Sequence, residues 1–245
     1  MSQSKIIVII GPTASGKTGL GLALAKEFNG EVVSADSRQV YKKMSIGTAK
    51  PKADFRLKTT DYELRLPATP ASGLAWRAGT TDSGSDIYMV EGVPHHLMDI
   101  VDPGKEFSLA DYKKLALKAI RDILRRGKLP IVVGGTGLYI RALVDNFDIP
   151  KIKPSKKLRS QLEKKSLAQL GTLLKKIDPA SAKKIDLKNP RRVLRALEVF
   201  ILSGESFFAQ RTKSFPLFNV LQLGIDLPRA ELFAHHAPIE RRVGP

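Results

Sequence analysis

The sequence predicts an α/β fold in which a parallel sheet with flanking helices is interrupted by a basic helical insertion. Three observations predict it. The chain opens with a strand, a glycine-rich turn, a helix and a second strand; another apolar strand near residue 131 also ends in glycines; and Lys and Arg are concentrated between residues 151 and 195. With 245 residues and 42% hydrophobic content, the chain is long enough to bury a core.

The first βαβ unit comprises a strand at Lys5–Ile10, a helix from about Lys17 to Phe28 and a strand at Glu31–Ala35. The turn after the first strand has the pattern G-x-x-x-x-G-K-T, formed by Gly11, Pro12, Thr13, Ala14, Ser15, Gly16, Lys17 and Thr18. This pattern predicts the phosphate-binding loop of a P-loop NTPase-like fold, because backbone N–H groups and a helix N-terminus converge on one anion. Lys17 adds a positive charge, and the Thr18 hydroxyl is placed to ligate Mg²⁺.

Asp36 directly follows the second strand. Because ligands bind outside the carboxyl ends of parallel strands, we expect this carboxylate to face the same cleft as the phosphate loop. Its spacing alone leaves three interpretations open: a metal ligand, a general base that acts on a second substrate, or a residue that caps a turn.

The rest of the core continues this pattern. Residues from about 52 to 90 lack periodicity and are rich in Thr, Ser, Gly and Pro, which predicts a long loop excursion. A helix from about Ser108 to Arg126 follows, with a capping box and one apolar face. Strand Pro130–Val133 leads into glycines at 134–137, which we expect to line the cleft. The predicted core therefore spans residues 1–146.

A basic region follows the core. Between Lys151 and Arg195 there are fifteen Lys and Arg against three acidic residues, which is most of the formal net charge of +17. We predict a basic helical insertion at 147–195 and a return to the core at 196–245. Positive charge this concentrated favours binding to a polyanion. Nucleic acid is therefore the leading candidate partner, and an anionic membrane surface is the weaker candidate. Its predicted helices are 155–165, 167–176 and 190–202.

The composition excludes several chemistries. The chain has no cysteine, which excludes disulfides, thiolate zinc sites and a cysteine nucleophile and suits a reducing cytoplasm. The longest apolar run near the N-terminus has five residues, too few for a membrane span or a signal peptide, so we expect a cytoplasmic protein. His95 and His96 have neither cysteine nor an acidic cluster nearby, and we interpret them as structural hydrogen-bonding residues rather than zinc ligands.

Six blocks, in this order, closely resemble the tRNA dimethylallyltransferase (isopentenyl-tRNA transferase) family: GPTASGKT at 11–18, DSRQVY at 36–41, IGTAKP at 46–51, VPHHL at 93–97, VGGTGLY at 133–139 and RRVLRALEVF at 191–200. The resemblance covers nearly the whole chain apart from about 52–90 and the last residues. It implies transfer of a dimethylallyl group from dimethylallyl diphosphate to N6 of the adenosine 3′ of the anticodon in tRNA, with Mg²⁺ as cofactor.

The resemblance also implies roles for individual residues. The 11–18 loop would bind the diphosphate, Lys17 would stabilise the departing diphosphate, and Asp36 would be the general base. Arg38, Gln39 and Tyr41 are candidates for stacking on or hydrogen-bonding the extruded adenine. The expected partners are dimethylallyl diphosphate and the anticodon stem-loop of tRNA, with no membrane and no protein partner evident. The positions that match tRNA contacts are Asp36, Ser37, Arg38, Gln39, Thr136, Arg159, Arg191, Arg192, Val193, Leu194 and Arg195.

Two other functions stay open. The phosphate loop and the first βαβ unit serve ATP binding equally well, which would suit a nucleotide or small-molecule kinase. The chain also stops at Pro245, where the family continues through further helices. A truncated, non-catalytic RNA-binding remnant is therefore the third interpretation.

Overall fold

A mostly parallel sheet organises the first part of the molecule. The computed structural model of the chain describes residues 3–57, 87–150, 152–209 and 214–232. In these ranges the sheet has seven strands, in the order β3-β4-β5-β2-β6-β1-β7. Only β4 with β5 and β3 with β4 pair antiparallel; the other pairs are parallel. The strands are β1 Lys5–Ile10, β2 Gly30–Ser34, β3 Phe55–Leu57, β4 Ile87–Val90, β5 Val93–His96, β6 Leu129–Gly134 and β7 Asn219–Gly224.

The helices of the described ranges begin at residues that suit helix starts. Ser108 forms a capping box with Asp111 before the second helix, as the sequence predicts, and Pro occupies the first turn of the sixth and seventh. The predicted α/β class is confirmed. The helices are α1 Lys17–Glu27, α2 Leu109–Arg125, α3 Gly137–Val144, α4 Lys156–Leu162, α5 Leu167–Ile177, α6 Pro179–Lys184 and α7 Pro190–Ser203.

The chain divides into two compact units. Unit 1 takes in the described residues up to Val144 and from Pro216 onward, and unit 2 is Asp145–Phe215. The predicted insertion, 147–195, ends inside α7, whereas unit 2 continues past the end of this helix to Phe215. The reason is packing: Val193 and Leu197 of α7 lie in the same apolar core as Leu174 of α5, and one rigid helix keeps both ends in the same unit.

The central strands β1, β2 and β6 are buried on both faces of the sheet. On one face, Val8 and Val132 pack with Ile120 and Ile123 of α2. On the other, Ile9, Val32, Ile131 and Val133 pack with Leu22 and Ala25 of α1. Burial on both faces explains why these strands are continuous apolar runs rather than alternating patterns.

The predicted loop excursion at 52–90 lies mostly in residues 58–86, outside the described residues. Its two described ends differ from the prediction, because they form β3 and β4. The Tyr88 hydroxyl donates to the Pro51 carbonyl over 2.6 Å, and Leu57 packs on Ile87 and Met89. Strands of three and four residues are too short for a detectable alternation of apolar side chains.

Unit 2 is helical around a small apolar core. Side chains of Ser155, Ser166, Asp178 and Asn189 each accept a hydrogen bond from a first-turn backbone N–H of the helix that follows. These caps fix where the helices begin. Across the described ranges of the chain, no helix is long and apolar enough to cross a lipid bilayer.

Candidate active site

The phosphate loop joins β1 to α1 in a tight turn. Gly16 has φ of 84°, a left-handed conformation that favours glycine because it has no Cβ. Gly16 also precedes α1 without a side-chain cap, so the first-turn N–H groups of α1 have no such acceptor. Ser15 N–H donates to the Pro12 carbonyl over 3.4 Å, while the buried Ser15 Oγ has no hydrogen-bond partner among the described residues. The loop therefore presents donors suited to an anion.

Lys17 lies half-buried at the start of α1. Its Nζ donates to the Pro12 carbonyl, which curls the side chain back over the loop. Burial lowers the pKa of Lys17 below its ordinary value, and the negative charge of Asp36 partly offsets this. The two side chains predicted to be catalytic are therefore close enough to interact electrostatically.

Asp36 caps the turn that follows β2. Its Oδ1 accepts from the backbone N–H groups of Arg38, over 2.8 Å, and Gln39, over 3.2 Å. No hydrogen bond to Oδ2 is found within the described residues. Of the three interpretations left open by the sequence, the turn cap thus accounts for one oxygen of the half-buried Asp36, and the second oxygen is available for other chemistry.

The glycine cluster after β6 lies against this turn. A Cβ on Gly134 would lie 2.2 Å from the Ala35 carbonyl oxygen, so only glycine permits this approach. Thr136 N–H donates to that same carbonyl over 3.1 Å, and Ser37 N–H donates to Thr136 Oγ1 over 2.9 Å. The structure therefore brings together Thr136 and the 36–39 turn, two of the predicted tRNA-contacting segments.

One cleft of about 210 Å³ joins the phosphate loop to Asp36. Its lining includes polar residues of the phosphate loop and also Val32, Met98 and Val133, which belong to the apolar core on the α1 face of the sheet. Its lining is Thr13, Ala14, Ser15, Gly16, Lys17, Thr18, Val32, Asp36, Gln39, Thr48, Ala49, His95, Met98, Val133 and Gly134.

Sequence reasoning missed the wall formed by Thr48 and Ala49. The Gln39 side chain, a candidate for contacting the extruded adenine, donates to the carbonyls of Thr48 and Ala49 over 3.1 and 3.4 Å. Lys50 holds the same segment through a buried ion pair with Asp99 and a 2.8 Å hydrogen bond to the Tyr41 carbonyl. The block at 46–51 was the pattern that could have indicated this wall.

The predicted tRNA-contacting residues of unit 2 have mixed environments. Arg191 and Arg192 are exposed, whereas Val193 is fully buried and Leu194 packs on the core. Arg159 and Arg195 both donate to the buried Glu198 carboxylate. Burial would raise the pKa of Glu198, but the hydrogen bonds from the two arginines and from Ser155 N–H lower it. Two of the predicted contacts are therefore part of an internal ion-pair network.

Comparison of the sequence with known proteins identifies the family of this chain. The family model described as IPP transferase matches residues 81–244, and the one described as isopentenyl transferase matches residues 4–63. The chain belongs to the IPP transferase family. Curated relatives include two proteins named tRNA dimethylallyltransferase. The one from Chloroflexus aggregans is 41% identical over 98% of this chain and 72% of its own length; the one from a Roseiflexus species is 42% identical over 94% and 65%.

Solved structures of this family agree with the fold. The tRNA isopentenylpyrophosphate transferase of Bacillus halodurans matches with a TM-score of 0.55 and 35% identity, over 98% of this chain and 66% of that chain. A eukaryotic dimethylallyltransferase described as acting on tRNA matches with a TM-score of 0.70 and 30% identity, over 98% of this chain and 54% of that chain. This chain thus spans 65% of the length of the Roseiflexus relative and 66% of the Bacillus halodurans chain.

Proposed function

We propose that this chain transfers a dimethylallyl group from dimethylallyl diphosphate to N6 of the adenosine 3′ of the anticodon in tRNA. One observation supports it above the others: a phosphate loop and a carboxylate with one uncommitted oxygen line the same cleft, which also has an apolar wall. These are the three environments that a diphosphate, an attacking amine and a prenyl tail require. The relatives named tRNA dimethylallyltransferase support the same reaction.

The diphosphate belongs at the phosphate loop. An exocyclic adenine amine is a weak nucleophile because its lone pair is delocalised into the ring, so the leaving group must be strongly stabilised. The α1 N-terminus and Lys17 would stabilise the charge that grows on the diphosphate as the C1–O bond breaks. Burial makes this charge interaction stronger than it would be in water.

Asp36 would act on the amine. As the bond between N6 and C1 forms, the N6 proton would move to the uncommitted Oδ2 of Asp36, and diphosphate would leave. A positioned base of this kind contributes about 10²- to 10⁴-fold to a rate. The hydrogen bonds to Oδ1 from Arg38 and Gln39 would hold the carboxylate in a fixed orientation.

Mg²⁺ fits the same loop. Thr18 lines the cleft at the first turn of α1, where its hydroxyl would hold the ion. The described residues contain no group of three or more His, Cys, Asp or Glu side chains arranged to hold a metal. A Mg²⁺ ion held by one hydroxyl, substrate phosphates and water needs no such group. When bound, it would neutralise charge on the diphosphate.

The tRNA would be held mainly through its phosphates. The basic segment at 151–195 and the exposed Arg191 and Arg192 supply the positive charge. The target base must leave its stack to reach the cleft, at a cost of a few kcal/mol. Phosphate contacts would offset that cost, which explains why a small cleft is combined with a strongly basic chain.

A labelled donor tests this proposal. Purified protein is incubated with labelled dimethylallyl diphosphate, Mg²⁺ and unmodified tRNA, and label is measured in the RNA. Label in the RNA supports the proposal. Phosphorylation of a small acceptor by ATP, without label in RNA, would favour the kinase. Salt-sensitive tRNA binding with no transfer would favour the RNA-binding remnant.

A further inference from the structure

His95 presents a buried nitrogen that no described residue satisfies. Its side chain is 1% exposed, yet Nε2 has no hydrogen-bond partner. Buried polar atoms are nearly always bonded, so an exception in the wall of a ligand cleft requires an explanation. His96 offers a contrast, since its Nε2 lies 2.7 Å from the Glu31 carboxylate.

The protonation state of His95 follows from its other nitrogen. Nδ1 lies 3.0 Å from the Val93 carbonyl oxygen, which can only accept, so Nδ1 carries the hydrogen and Nε2 has a bare lone pair. Burial lowers the pKa of His95, which keeps the ring neutral. Nε2 is therefore a hydrogen-bond acceptor that carries a partial negative charge.

His95 is one of the residues that line the cleft, in the part where we expect the prenyl tail. His95 pairs with Val32, two residues before β2 ends at Ser34, so it lies about 7 Å along the strand from the edge of the sheet. Its neighbours in the cleft lining include Val32, Met98 and Val133. With the diphosphate on the loop, a five-carbon tail has this apolar wall as its natural site.

A dimethylallyl tail has no hydrogen-bond donor, so the lone pair has no partner in the ground state. During transfer the C1–O bond breaks ahead of full N6–C1 bond formation, and positive charge spreads over the allylic carbons. We propose that His95 is a catalytic residue whose Nε2 lone pair stabilises this developing allylic cation. The inference rests on the proposed function. It adds to that function an electrostatic interaction between His95 and the end of the dimethylallyl tail that is farthest from the diphosphate.

Two unreactive ligands test the inference in the wild-type protein. One is the thiolodiphosphate analogue of the donor, which is uncharged in its tail. The other is 2-(dimethylamino)ethyl diphosphate, whose ammonium group imitates the cation. With Mg²⁺ present, calorimetry should show the ammonium analogue binding about tenfold or more tightly. Equal or weaker binding of the ammonium analogue would overturn the proposal, whether or not any variant folds.

The variants His95→Leu and His95→Gln form a matched pair. Leu removes the acceptor, whereas Gln keeps one. We expect His95→Leu to lose about tenfold or more in kcat without a rise in KM for the donor, and to lose the preference for the ammonium analogue. His95→Gln should recover much of both losses. An unchanged kcat in His95→Leu, or a prenylated His95 in peptide mass spectra, would contradict this role. The proposed function would still hold in either case if the wild-type protein transferred the dimethylallyl group to tRNA.

Discussion

Gln39 links the turn that carries Asp36 to the wall of the cleft. Its backbone N–H donates to Asp36 Oδ1, and its side chain donates to the carbonyls of Thr48 and Ala49. The side chain is buried, at 8% exposure. In the free protein, the Gln39 side chain is therefore already hydrogen-bonded to these two carbonyls before any tRNA binds.

Replacing Gln39 tests that role. Gln39→Leu should destabilise the free protein by about 1–3 kcal/mol, because two buried carbonyls lose their donor. Urea unfolding in the absence of ligands measures the change. Arg38→Leu is the matched control, since Arg38 is exposed and its side chain lies outside the cleft lining. If Gln39→Leu had wild-type stability and lost only tRNA affinity, Gln39 would instead contact the base directly.

Residue-level prediction succeeds where local pattern and topology are sufficient. The phosphate loop and Asp36 can be assigned to one cleft because parallel strands end at the same edge of a sheet. The partners of Gln39 are nine and ten residues away, across an irregular segment that no periodic pattern describes. The lone pair of His95 likewise follows from the contact between Nδ1 and the Val93 carbonyl oxygen, which the sequence does not predict.

At the scale of elements, β6 closely approaches the residue that follows β2. Gly134 belongs to β6, and a Cβ there would lie 2.2 Å from the Ala35 carbonyl oxygen. That carbonyl accepts from Thr136 N–H, so the contact also fixes the turn beside the cleft.

Gly134→Ala should therefore destabilise unit 1, by about 1–3 kcal/mol, since backbone rather than a flexible side chain must move. Gly137→Ala is the matched control, because nothing lies within 4 Å of a Cβ there and the residue begins α3. Its effect should be within about 1 kcal/mol of zero. Urea unfolding of both variants gives the comparison, and equal losses would show that the close approach is not what selects glycine.

Within unit 2, Glu198 joins α7 to α4. Its carboxylate accepts from Arg159, Arg195 and the backbone N–H of Ser155. Because these bonds lower its pKa, the stabilisation is complete above the unfolded pKa of about 4.3 and is lost as pH falls through the folded pKa.

Glu198→Gln should accordingly cost about 2 kcal/mol at pH 7, and the cost should shrink as pH falls below about 4. The measurement is urea unfolding of the variant and wild type across that pH range. Glu205→Gln provides the control, since Glu205 is an exposed acid of the same unit. A difference that stayed constant from pH 7 to pH 3 would contradict the role of the Glu198 charge.

At the level of elements, the sequence predicts the βαβ unit, the capped α2 and three of the four helices of the basic region; it does not predict the short α6. It does not predict β5, whose four residues include Pro94. Proline lacks an N–H and is disfavoured within a sheet, yet here it pairs with Met89 of β4, while His95 and His96 pair with β2. The basic segment at 151–195 also does not predict the boundaries of unit 2, because a compact unit ends where its apolar packing ends.

For the whole molecule, the formal charge of +17 dominates long-range behaviour. If exposed lysines of unit 2 contact tRNA phosphates, tRNA affinity should fall steeply with salt concentration. Each contact should contribute about 0.7–0.9 to the slope of the logarithm of the binding constant against the logarithm of the salt concentration. Replacing Lys175, Lys176 and Lys183 with Gln should then reduce the slope by about 2. The same replacement of Lys5, Lys114 and Arg121, exposed residues of unit 1, is the control. Equal effects of both sets would place the tRNA footprint elsewhere.

The central claim is that the phosphate loop and Asp36 act in one cleft on two substrates. Asp36→Asn tests it most directly, because Asn keeps an oxygen for the turn but removes the basic carboxylate. With labelled dimethylallyl diphosphate, Mg²⁺ and unmodified tRNA, wild-type protein should label N6 of the adenosine 3′ of the anticodon. The variant should transfer about 10²- to 10⁴-fold more slowly while binding tRNA with unchanged affinity. Transfer by Asp36→Asn at the wild-type rate would contradict the account.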